Sequence, residues 1–104
     1  MKEMPIPLAA QRDDDSYEML RAWVAEKGLH CSIKVGMYQN ATNFGEEDAW
    51  GILLADITRH IADAMYKEFK CKKDETIQKV VKSMIDELKF PTSEAVGDFI
   101  KKKT

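Results

Sequence analysis

What the sequence lacks narrows the possibilities first. No stretch approaches the ~18 consecutive apolar residues of a membrane-spanning helix, and the opening residues do not read as a secretory signal. Neither sign of charge is in excess: 16 lysines and arginines stand against 18 acidic residues, a net charge of -2. Nucleic-acid binders usually carry a basic surplus, so nucleic acid is not an expected partner. Only two cysteines occur, Cys31 and Cys71, and neither has the near neighbour that metal or redox work would use. There is no glycine-rich phosphate loop, no nucleophile elbow, no metalloprotease helix and no internal repeat. These absences lead us to expect a cytoplasmic protein with two free thiols and no cofactor.

What is present suits a folded chain. Hydrophobic residues make up 44% of 104 residues and charged residues 33%, too apolar for disorder. The length fits one domain over residues 1–104, which should bury about two-thirds of the surface of the unfolded chain. Cys31 alternates with polar residues and reads as a small buried hydrophobe. Cys71 lies among Lys70, Lys72 and Lys73, cations that favour a thiolate.

Periodicity supplies the elements. Pro5 and Pro7 make residues 1–12 an extended arm. Asp15 and Glu18 resemble a capping box for a helix over 16–27, with Met19, Leu20, Trp23 and Val24 as its stripe and Gly28 as its C-cap. Leu29, Cys31, Ile33, Val35 and Met37 alternate with His30, Ser32, Lys34, Gly36 and Tyr38, predicting a strand over 29–38. Residues 39–46 read as a loop, in which Asn40-Ala41-Thr42 matches the glycosylation pattern by chance. A long helix is predicted over 46–70, with Trp50, Leu53, Leu54, Ile57, Ile61, Ala64 and Met65 on one stripe. Another follows over 75–89, capped by Asp74 and carrying Ile77, Val80, Val81, Met84, Ile85 and Leu88. Thr92 or Ser93 caps a short last helix over 94–102, and residues 101–104 form a frayed tail.

The predicted class is α+β, with three to four helices packed on one main strand. A single strand leaves backbone donors and acceptors to be paired. Either the N-terminal arm completes the sheet or the same strand of a second copy does, giving a homodimer. The strand face with His30, Ser32, Lys34, Gly36 and Tyr38 is the expected interface.

Candidate chemistry is sparse. Asp56, His60 and Asp63 fall on one side of the long helix, with Arg59 close by. Together with His30 they are the candidates for a metal or for acid–base work. The competing reading is a solvated helix face with ordinary i,i+3 and i,i+4 pairs. His30 and Cys31 are adjacent on a strand and point to opposite faces, so they do not form a nucleophile–base pair. Trp23 and Trp50 read as core aromatics. Lys67, Lys70, Lys72, Lys73 and the terminal lysines are the only basic cluster.

The strings Tyr17-Glu18-Met19-Leu20-Arg21-Ala22-Trp23-Val24-Ala25, Gly28-Leu29-His30-Cys31-Ser32, Trp50-Gly51-Ile52-Leu53-Leu54-Ala55-Asp56-Ile57-Thr58-Arg59-His60-Ile61-Ala62 and Phe90-Pro91-Thr92 are distinctive in combination. Over roughly residues 5–92 the chain resembles a small bacterial family known only as a domain of unknown function. That resemblance implies a bacterial, cytoplasmic protein and brings no substrate, cofactor or partner. The sequence thus favours a non-catalytic, homodimeric interaction or regulatory module. The alternative is a small-ligand or metal-binding enzyme using Asp56, His60 and Asp63.

Overall fold

The computed structural model describes residues 1–37, 45–92 and 95–101. In chain order the elements are α1 (Leu8–Arg12), β1 (Leu20–Ala25), β2 (Gly28–Val35), α2 (Glu46–Phe69), α3 (Lys73–Lys89) and β3 (Ala95–Lys101). The class is α+β. Three strands form one sheet in the order β1-β2-β3, with β1 antiparallel and β3 parallel to the central strand.

The sheet is completed from within the chain. The N-terminal arm is not its partner: residues 8–12 close a helical turn behind Pro7, and the Gln11 amide donates to the Ile6 carbonyl. Residues 20–25 are a strand, where the capping residues and stripe predict a helix. The three aspartates explain part of this. The Asp15 N–H donates to the Asp13 carboxylate at 2.9 Å and the Ser16 N–H to the Asp13 carbonyl at 3.0 Å, so Asp13 shapes a turn that competes with a helix start. Glu18 is drawn to Arg21, with which it makes two hydrogen bonds, and Glu3 joins the same guanidinium. The rest of the explanation is tertiary. Leu20, Ala22 and Val24 also alternate at period two, and they pair with Ile33, Cys31 and Leu29 across the ladder.

Gly28 is therefore the first residue of β2 and the cross-strand partner of Ala25, not a helix cap. The two-residue turn between the strands holds Glu26 at φ 50° and Lys27 at φ 63°. Positive φ at both positions is the signature of the type I′ hairpin, a site where Asn-Gly is favoured and side chains such as these are strained. Replacing them by Glu26→Asn and Lys27→Gly together is expected to stabilise the protein by about 1 kcal/mol or more. At fixed protein concentration that raises the thermal midpoint by ~4–8 °C, readable by circular dichroism.

β2 follows the predicted alternation but ends at Val35. Gly36 adopts φ 93°, a conformation that turns the chain out of the ladder at little steric cost. Tyr38 and the glycosylation-like tripeptide lie outside the described residues, as does the tail from 102. The predicted helix over 94–102 is instead β3, in register from Leu29↔Ala95 to Val35↔Lys101. The open edge of β2 satisfies its backbone groups with a strand, which a terminal helix cannot do.

The two long helices match their predicted extents closely, but their buried residues, Ala49, Thr58, Ala62 and Thr76, are small ones outside the predicted stripes. Acidic Glu46, Glu47 and Asp48 occupy the first turn of α2, where the helix dipole favours them, and Asp48 accepts the Gly45 N–H at 3.2 Å. Lys70 closes α2 in the left-handed conformation, φ 60°, with its N–H on the Tyr66 carbonyl. α3 starts after Lys72 rather than at Asp74. The helices fold back on one another as an antiparallel pair through the three residues Lys70, Cys71 and Lys72.

The core is small. Among the described residues only Ala49 and Ala62 are buried apolar residues, and only Thr58 and Thr76 buried polar ones. Among the described residues no large side chain is fully buried. Among the described residues, extensive packing is confined to β1 on β2, β2 on β3 and α2 on α3, and the sheet and the helical pair barely meet. The chain leaves 9366 Å² accessible, against about 17,300 Å² for an unfolded chain of 11.9 kDa. Folding of one copy thus buries under half of that surface, well short of the two-thirds its length predicts.

Candidate interaction surface

The sequence candidates for a metal do not converge. Asp56, His60 and Asp63 do share one side of α2, but each carboxylate is engaged by a cation. Asp56 is paired with Arg59 one turn on, and Asp63 with Lys73 of α3 at 3.1 Å. His60 is exposed beside them, and His30 belongs to β2. Among the described residues no three His, Cys, Asp or Glu side chains are grouped to hold a metal. Asp56–Arg59 is thus an ordinary i,i+3 pair, whereas the Asp63–Lys73 bridge links α2 to α3. The basic cluster is partly occupied as well: Lys70 and Lys73 both sit 5.3 Å from the centre of the Tyr66 ring.

The sheet, in contrast, has two chemically distinct faces. Cross-strand partners share a face, so Leu20, Ala22 and Val24 lie beside Ile33, Cys31 and Leu29 on one side. Over β1 and β2 that side is apolar. Val24 is 84% exposed and Leu29 42% exposed. The other side carries Arg21, Trp23, His30, Ser32 and Lys34. Arg21 lies 6.0 Å over Trp23, and Lys34 lies 5.8 Å over Tyr17. Hydrogen bonding from Arg21 lowers the Glu18 carboxyl below its usual range and raises the guanidinium further in turn. The expected interface residues His30, Ser32 and Lys34 occupy this polar side, with Gly36 just beyond its end.

The tryptophans are half-buried and tied to polar groups, not core aromatics. Trp23 lies under Arg21, and the Trp50 indole N–H donates to Glu46 at 3.2 Å. The same carboxylate oxygen of Glu46 accepts the Gly36 N–H at 2.8 Å. Glu46 is therefore a direct tie between the end of β2 and the start of α2. Cys31 and Cys71 are free and half-buried, Cys31 on the apolar side of the sheet.

The helical pair is amphipathic beyond its seam. Leu54, Ile61, Met84 and Ile85 are each about two-fifths exposed, and Leu88 is more exposed still. Ile77, Val81 and Ile85 form an open apolar strip along α3, next to Gln78, Lys82 and Asp86. At the far end of α3, Thr92 bonds Glu87 through both its hydroxyl and its N–H, which keeps the Glu87 carboxyl below its ordinary value.

The family model of a domain of unknown function, DUF5076, matches residues 3–92. The chain belongs to that family. Within DUF5076 the match takes in the sheet's first two strands, both long helices and the Phe90-Pro91-Thr92 stop. No curated protein matches the chain. A solved structure described as that of "a putative pyruvate dehydrogenase from the photosynthetic bacterium Rhodopseudomonas palustrus CGA009" is similar to this DUF5076 member at 30% identity and a TM-score of 0.64, over 100% of this chain and 96% of that one.

Proposed function

We propose that the protein is a non-catalytic interaction module of the cytoplasm that works as a homodimer. The observation that carries this reading is the surface one copy leaves in water. A folded monomer of 11.9 kDa is expected to expose about 5,900 Å², and this chain exposes 9366 Å². Its radius of gyration, 15.7 Å, likewise exceeds the ~13 Å of a compact domain of this length. Apolar patches beyond a few hundred Å² mark interaction sites in soluble proteins. An excess of this size, with so little core beneath it, is that of a chain completed by association. A second copy is the partner always present when the chain is made.

The polar side of the sheet is the surface proposed for any other protein, through His30, Ser32 and Lys34 with Trp23 beside them. Aromatic residues and arginine are enriched in protein contacts, and Trp23 lies half-buried beside Arg21 on this side. Two unpaired thiols suit a reducing compartment.

Sedimentation over a wide concentration range tests the reading. The expected result is a species of twice 11.9 kDa that persists on dilution. A lone 11.9 kDa species that stays folded throughout overturns it.

A further inference from the structure

The dimer reading leaves open which surfaces meet, and the two unpartnered layers answer that question. We propose that the helical pair of one copy packs across the apolar side of the sheet of the other, and reciprocally, so that each copy supplies the layer its partner lacks. This rests on the dimer reading and goes further in naming the interface.

Three observations support it. The first is layer logic. A sheet with one apolar side needs an opposing layer, and so does a helix stripe wider than its seam. In one copy the two layers hardly touch, while Val24 and Leu29 on one and Met84, Ile85 and Leu88 on the other lie open. The second is size. The eight residues of β2 span about 26 Å, and the 17 residues of α3 span about 25 Å. The third is area. Obligate homodimers bury ~2,000–5,000 Å² or more in all, which is ~1,000–2,500 Å² from each copy. One chain exposes 9366 Å² against the about 5,900 Å² of a compact monomer, an excess large enough to supply its share. Pairing helices with helices would leave both sheets wet, and pairing sheets with sheets would leave both stripes wet. Reciprocal packing about a two-fold axis covers all four layers. The net charge of -2 puts up little repulsion between copies.

Two full-length variants test this, Val24→Glu and Ile85→Glu. Val24 is 84% exposed in a single copy and Ile85 43%, so neither change falls on a residue buried within one chain. In a reciprocal dimer each variant breaks both contacts with itself, because a carboxylate desolvated against apolar side chains is strongly unfavourable. Each is expected to weaken the dimer roughly a hundredfold or more. Refolded together, however, the variants keep one intact contact, between the helices of Val24→Glu and the sheet of Ile85→Glu. The mixture is expected to recover a heterodimer about tenfold tighter than either variant alone, seen as dimer mass and regained helical circular dichroism. Variants that fail to fold alone are read by this same recovery. An intact Val24→Glu dimer, or two dissociated variants that do not complement, overturns reciprocal packing while leaving the dimer standing. A monomeric wild-type chain overturns the dimer itself.

Discussion

Ala62→Asp is expected to abolish the folded helical pair. Ala62 is 1% exposed, the most buried of the four buried residues described, the others being Ala49 and Thr58 of α2 and Thr76 of α3. A carboxylate there is taken out of water, and a buried charge costs several kcal/mol. Natural domains have only ~5–15 kcal/mol in hand, and this one has an unusually small core. Ala62→Leu makes the same point by volume: it pushes the helices apart and should cost about 2–3 kcal/mol. Ala55→Asp, on an exposed position of the same helix, should stay within ~0.5 kcal/mol of the wild type. Urea titrations followed at the helical band separate the three. A seam that tolerates aspartate at position 62 would mean that α2 and α3 do not depend on each other.

The second large effect is expected at Glu46. One of its oxygens accepts both the Gly36 N–H and the Trp50 indole N–H. Its charge also lies in the first turn of α2, where the dipole favours it. Glu46→Ala removes the acceptor from two part-buried donors and should cost about 2–3 kcal/mol. Glu46→Gln keeps an acceptor and loses only the charge, so it should cost about 1 kcal/mol or less. Besides denaturation, the Gly36 amide and the Trp50 indole proton report directly. Both should move and exchange faster in the alanine variant and hold their positions in the glutamine variant.

How much of this was legible depended on whether a segment's pattern admitted one reading or two. α2 and α3 carry stripes at helical spacing over many turns, and nothing competes with that period. β2 alternates over ten residues, and only Gly36 shortens it. β1 was not legible as a strand because Met19, Leu20, Trp23 and Val24 satisfy the helical period while Leu20, Ala22 and Val24 satisfy the period of two. The partner strand decided between them, and a partner is not visible in a local window. β3 was hidden for the same reason: Gly97 and Asp98 interrupt its alternation, and its pairing reaches back to β2. The shared side of Asp56, His60 and Asp63 was legible from their offsets. The Lys73 ion pair was not, because it depends on how α3 folds back. The apolar side of the sheet was already present in Leu29, Cys31, Ile33 and Val35. Expecting a helical layer from the same chain to cover it hid its significance.

The parallel pairing of β3 with β2 also dictates an order of assembly during synthesis. The β1–β2 ribbon and the α2–α3 pair are local and can form as soon as their residues leave the ribosome. Leu29 must wait for Ala95, its partner in register, so the second edge of the central strand stays unpaired until residue 101 has been made. Through that interval the nascent chain displays a bare strand edge beside an apolar sheet face, the combination most open to pairing with the wrong chain. Neighbouring nascent copies on one messenger are therefore both the supply of correct partners and the chief hazard, and chaperone dependence should rise with translation rate.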